Sequence, residues 1–223
     1  MQNQSMHFKQ RAAAAAADRA LQAKLGTAKA LFVTGRRRAV ADIDLEATRT
    51  ASQAIRDTCV ADLDLWLERF ETEATRRGAQ VLWARDGAEI CRLVIDIARR
   101  HGVKKAIKSK SMLSEEADLN AALEAAGVQP VETDLGEYIL QINGNERPSH
   151  IIAPAIHKTK EEVAELFERV HRKPRKTDIG QMTREAREEL RAHFLSAEMG
   201  ISGGNFLVAE TGSVALVTNE GNG

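Results

Sequence analysis

Aromatic side chains are scarce, at 4% of 223 residues, with a single tyrosine. A core drawn from this composition must be built from Ala, Leu, Ile and Val. Cysteine is scarcer still. Cys59 and Cys91 lie in helix-like segments, and no C-x-x-C pair occurs. That pattern reads as two buried free thiols in a reducing cytoplasm, with a disulfide or a reactive thiol as the alternatives. Neither G-x-G-x-x-G nor G-x-x-x-x-G-K-[ST] is present, so the common nucleotide-phosphate loops are excluded. No run approaches the roughly 20 apolar residues that span a bilayer. The N-terminus lacks the apolar centre of a secretory signal.

What is there describes a globular chain, 43% hydrophobic and 29% charged. The net charge is zero, but it is unevenly spread. Residues 1–38 hold 8 basic residues and one acid, Asp18, which leaves 24 basic and 31 acidic residues for the rest. A basic arm of about +7 thus precedes a body of about −7, which suits an arm that packs on the body or meets a partner. Nucleic acid is not expected as the partner, because the strong net charge and interleaved aromatics it favours are missing. Arg36-Arg37-Arg38 reads as a solvated loop or an anion contact.

Phe8 to Lys24 reads as a surface helix on the strength of its alanine run, with Gly26 as its end. Glu46 to Arg77 carries Ile55, Cys59, Leu63, Trp66, Leu67 and Phe70 at helical spacing, and Gly78 stops it. Residues 1–78 therefore form a helical arm and a long helix, and 79–223 an α/β core. In that core, strands are expected at 80–84 (QVLWA), 103–108, 128–132, 149–153 (SHIIA), 206–209 and 214–218. Helices lie between them. One is opened by Asp86 with Glu89, one is capped at Ser114-Glu115-Glu116, one is opened by Thr159 with Glu162, and one starts at Thr183 and runs to Met199. The fold class is α/β, a mostly parallel sheet flanked by helices.

Ligands of open α/β sheets bind beyond the carboxyl ends of the strands. Ser109-Lys110-Ser111 follows the second strand and makes an anion cradle, or merely caps the next helix. Glu137 follows the third strand. Gly203, Gly204 and Asn205 precede a strand, and Glu210, Thr211 and Gly212 follow it. The glycines permit close backbone approach, and a strand-end carboxylate can act as base or nucleophile. An ordinary hairpin turn accounts for the same residues. His150 and His157 flank IIAPAI, but no spacing ties them to a ligand set, so no metal is assigned.

The segments IKSKSMLSEE, TDLGEYILQI, PSHIIAPAIHKTKEEV and GISGGNFLVAETGSVALVTNEGN, with the linker RKPRKTD and the helix TREAREELRAHF, resemble the lactate utilization protein B family. The resemblance runs from about residue 10 to the end. It implies a LUD domain, similar in fold to phosphosugar isomerases and CoA transferases. It also implies a role beside lactate utilization proteins A and C in converting L-lactate to pyruvate. The family carries 4Fe–4S clusters in a later ferredoxin-like region. The chain stops at Asn222-Gly223, within the family's pattern, so it is expected to be a truncated domain without cofactor. Two cysteines cannot hold such a cluster, which takes four ligands. In the shared blocks, Ser109, Lys110, Ser111, Gly203, Gly204, Asn205, Thr211, Gly212, Asn219 and Glu220 are expected to hold a small carboxylate or phosphate. Glu210 and Glu137 are expected to supply the chemistry. The alternatives are a self-contained isomerase or transferase, and a docking scaffold.

Overall fold

The computed structural model describes residues 7–218 and 220–223. The chain divides into two compact units. One is built from Lys9–Leu82 with Gly204–Ala215, the other from Trp83–Gly203 with Leu216–Gly223.

The first unit starts with helices α1 (Phe8–Ala17), α2 (Arg19–Ala39), α3 (Leu45–Ala61) and α4 (Leu63–Arg76). The first break falls at Asp18, not Gly26. The Asp18 carboxylate accepts the Leu21 N–H and caps α2. That helix then runs through Gly26 and Gly35. Arg36, Arg37 and Arg38 lie in its last turn rather than in a loop, where cations suit the negative end of the helix dipole. The expected long helix is broken at Asp62, between α3 and α4. Cys59 is exposed on α3, contrary to expectation, and only Cys91 is buried.

The second unit contains α5 (Gly87–Arg100), β1 (Lys105–Lys108), α6 (Met112–Glu116), α7 (Leu119–Ala125), β2 (Gln129–Glu132), α8 (Leu135–Ile142), α9 (Lys160–His171), α10 (Ile179–Ser196) and β3 (Met199–Ile201). The strands form one parallel sheet in the order β2-β1-β3. Alternation along β1 sends Ala106 to one face and Ile107 to the other. Ala106 packs with Cys91, Ala98, Leu119 and Leu123 of α5 and α7. Ile107 packs with Val131, Tyr138, Phe167 and Leu190 of β2, α8, α9 and α10. Helices thus cover both faces, as the alternating pattern predicts. The outer edge of β2 is closed by one side chain. The Gln141 amide accepts the Glu132 N–H at 2.9 Å and donates to the Pro130 carbonyl at 3.0 Å.

Two expected strands are absent. QVLWA (80–84) has no ladder partner among the described residues, and Leu82 and Trp83 are exposed. SHIIA (149–153) is curled, because the His150 ring accepts the N–H groups of Ile152 and Ala153. Such local bonds compete with a ladder. Helix α10 begins earlier than expected, where Asp178 accepts the Gln181 N–H, and ends before Met199. That residue instead opens β3. Ser111, not Ser114, caps α6. The Thr159–Glu162 capping box is present in full.

The chain then returns to the first unit as an antiparallel hairpin, β4 (Phe206–Val208) and β5 (Ser213–Ala215), separate from the parallel sheet.

Candidate functional site

Strands β1, β2 and β3 end together because they are parallel and in register, with Lys108 opposite Glu132 and Ile201. Lys108 is 1% exposed. Its ammonium lies 2.8 Å from Glu132 Oε1 and donates to Ser114 Oγ at 3.2 Å. Asn120 also donates to Glu132, at 2.6 Å. Burial pushes the Glu132 carboxyl up, against the pull of Lys108 and Asn120. Thr133 ties the loop after β2 to that after β1, donating its N–H to the Lys108 carbonyl at 2.9 Å.

The next layer outward carries the predicted cradle. Ser109 donates its N–H to the Ile201 carbonyl and its hydroxyl to Ser202, at 2.9 and 2.8 Å. Ser111 is used as the α6 cap. Gly203 passes so close that a Cβ would stand 2.9 Å from the Lys110 carbonyl oxygen. Asp134 caps α8, accepting the N–H groups of Gly136 and Glu137. The Lys110 ammonium lies 3.6 Å from Asp134 and 3.4 Å from Glu137, within ion-pair range. It makes no hydrogen bond among the described residues, although its nitrogen is buried. Glu220 accepts the Leu135 N–H at 3.0 Å, and burial raises its carboxyl.

Glu115 of α6 completes the cluster. Its carboxyl is pushed up to about 7, first by burial and then by the neighbouring Glu137. Two neighbouring carboxyls resist ionising together, so one of them holds its proton more tightly. Glu137 is buried, and neither of its oxygens has a hydrogen-bond partner among the described residues. The strand ends therefore hold five carboxyl groups, two ammonium groups and a proton that is exchangeable near neutral pH. A carboxyl poised near 7 can take or give a proton at working pH. An ammonium with unused donors can receive an anionic oxygen.

The structure brings Ser109, Lys110, Ser111, Glu137, Gly203 and Glu220 into this one unit. Gly204, Asn205, Glu210, Thr211 and Gly212 belong to the other, on and around the β4–β5 hairpin. There Asn205 donates its N–H to Ala215, extending the ladder, and Thr211 donates to Ser213 Oγ. A Cβ on Gly204 would meet Val214 at 2.9 Å. One on Gly212, whose φ is +64°, would stand 2.3 Å from the Ala74 nitrogen. Both glycines thus answer to packing within that unit. Glu210 is exposed at the turn. Asn219 lies outside the described residues. Lys108, Glu115 and Glu132 were not among the expected site residues. Their signal was a charged residue closing an apolar strand run, and an acid one helical turn past a cap.

A cavity of ≈ 700 Å³ lies instead along β2, α8 and α10, lined in part by Val131, Tyr138, Gln141, His171 and His193. None of the strand-end charges lines it. Among the described residues, no group of three or more His, Cys, Asp or Glu is placed to hold a metal ion. No helix there is long and apolar enough to cross a membrane.

No solved structure matches the chain. Among curated proteins it is similar to lactate utilization protein B of Geobacillus kaustophilus (strain HTA426), with 44% identity over 177 residues. That match takes in 79% of this chain and 37% of the relative. The protein of the same description from Bacillus subtilis (strain 168) is 43% identical over 178 residues, 80% of this chain and 37% of its own length. The one from Bacillus thuringiensis (strain Al Hakam) is 38% identical over 206 residues, or 92% and 43%. The chain thus spans less than half the length of these relatives. The family model described as LUD domain matches residues 67–223, which takes in the strand-end cluster and the hairpin alike, and the chain belongs to the LUD domain family.

Proposed function

We propose that this chain is the LUD domain of an iron–sulfur subunit that acts with two partners, lactate utilization proteins A and C, in oxidising L-lactate to pyruvate in the bacterial cytoplasm. The observation that carries the reading is the 44% identity to lactate utilization protein B over 177 residues. In this reading the domain receives the small carboxylate. Lys110 meets the carboxylate group with the donors that Asp134 and Glu137 leave unused. The Glu115–Glu137 pair accepts the proton that the hydroxyl gives up as the carbonyl forms, while the α-hydrogen leaves with its two electrons to a two-electron acceptor held outside this domain. The residues present do not fit a 4Fe–4S cluster. It needs four thiolates, whereas Cys59 and Cys91 are the only two cysteines and belong to different units. Cluster binding is therefore assigned to the remainder of the parent protein.

Thermal unfolding with L-lactate, pyruvate, a sugar phosphate and CoA tests this. A ligand at about 100 times its dissociation constant stabilises by roughly 2.7 kcal/mol. The expected result is a rise in Tm with lactate or pyruvate that Lys110→Ala abolishes. A rise with the sugar phosphate or CoA alone would transfer the site to a self-contained enzyme. No rise with any of the four would remove substrate binding from this domain.

A further inference from the structure

Two hydroxyl–imidazole–carboxylate–ammonium chains run through the second unit, and they differ in where the hydroxyl ends. In one, Tyr138 Oη lies 3.0 Å from His171 Nε2, His171 Nδ1 lies 2.8 Å from Glu185, and Glu185 lies 2.9 Å from Lys176. Tyr138, His171 and Glu185 are buried there. Burial pushes the phenol up to about 12, so it stays neutral and serves to join α8, α9 and α10.

The other chain ends on an exposed serine. Ser149 Oγ lies 2.7 Å from His157 Nδ1, and His157 Nε2 lies 2.8 Å from Glu146 Oε1. Glu146 is held in turn by Lys158 at 2.6 Å and Asn143 at 2.6 Å. Burial alone would raise the Glu146 carboxyl. The hydrogen bonds from Lys158, Asn143 and His157 outweigh it and hold the group below its ordinary value. An ionised carboxylate only accepts, so the bond to Glu146 requires the proton on Nε2. In the neutral ring the lone pair is then on Nδ1, and there the serine O–H donates to it. A third group thus orients the base and a base faces the hydroxyl, which is the arrangement that activates a nucleophile. The ring nitrogens are exchanged relative to the usual serine triad, with Nδ1 toward the serine. The curl of SHIIA around the His150 ring, together with the Ser149 N–H to Pro154 carbonyl bond of 3.0 Å, presents Ser149 at the surface instead of in a strand.

We propose that Ser149, His157 and Glu146 form a second reactive site, in which Ser149 is a nucleophile toward the carbonyl of a small acyl ester. Ser149 Oγ bonds to the carbonyl carbon as its proton passes to His157 Nδ1. The carbon–oxygen bond to the leaving alcohol breaks, and the alkoxide takes that proton. Water then attacks the acyl-serine, gives a proton to Nδ1, and the serine recovers it as the acid departs. Glu146 keeps its charge throughout and steadies the imidazolium.

The test is labelling of the full chain with a fluorophosphonate, which reads the nucleophile directly and does not depend on lactate binding. The adduct is expected at Ser149 by peptide mass spectrometry, with turnover of p-nitrophenyl acetate that Ser149→Ala removes. His157→Ala is expected to slow labelling roughly 100-fold and Glu146→Gln roughly 10-fold. An adduct that maps elsewhere, or equal rates at Ser149 with and without His157, overturns the proposal. A Ser149→Cys variant covers the case in which His157→Ala unfolds. The introduced thiol is expected to react with iodoacetamide at least about 10-fold faster than exposed Cys59. Equal rates there overturn the proposal as well.

Discussion

Glu115 has a carboxyl held well above its ordinary range by burial and by Glu137. Its folded-state carboxyl titrates at about 7 against an ordinary 4.5. Between those values the folded chain keeps a proton that the unfolded chain has lost. Stability therefore falls as pH rises from about 4.5 to about 7, and levels off above. Glu115→Gln mimics the protonated form and removes the penalty. It is expected to flatten that part of the pH profile and to stabilise the chain at pH 8 by on the order of 1 kcal/mol, reduced from the full shift because the side chain is partly solvated. Urea unfolding at a series of pH values checks this. An unchanged slope in the variant would mean that the proton is held elsewhere in the cluster.

At the level of elements, the β4–β5 turn depends on a residue without a side chain. Gly212 combines a positive φ with backbone contact to Ala74 and Glu73 of α4. Gly212→Ala is expected to cost more than about 1–3 kcal/mol, because the turn must move as well as strain. A drop in the urea midpoint at constant slope would show it, and a neutral result would mean that the turn does not pack on α4 as described. The elements that local chemistry specifies were legible in the sequence. The Thr159–Glu162 box, the Asp86 cap and the runs of β1 and β2 all depend on neighbours within four residues or on simple alternation. The failures depended on distant partners. Met199 opens a strand only because β1 offers a free side, and SHIIA loses its strand to a histidine ring that bonds its own backbone. The candidate site divided in the same way. Lys110 and Glu137 stood out as charges after strands. Lys108 and Glu132 were hidden because their pairing depends on the register of two strands 24 residues apart.

On the scale of the whole molecule the two units are built differently. The α/β unit holds two buried clusters. In the helical unit, α1 and α3 contain no buried residue and α4 contains only Ala74. Amide hydrogens of β1, β2 and α8 are therefore expected to exchange slower than those of α1 and α3 by several orders of magnitude. Exchange mass spectrometry measures this, and equal protection would contradict the burial pattern.

The glutamine on the edge of β2 has a consequence for how copies of this sheet can meet. Gln141 occupies the outward N–H of Glu132 and the carbonyl of Pro130, and proline has no N–H to offer. A strand from outside finds no register there. Continuous strand addition through this sheet is therefore stopped at β2, the margin at one end of the order β2-β1-β3. One side-chain amide thus does for this margin what a covering helix or loop does elsewhere.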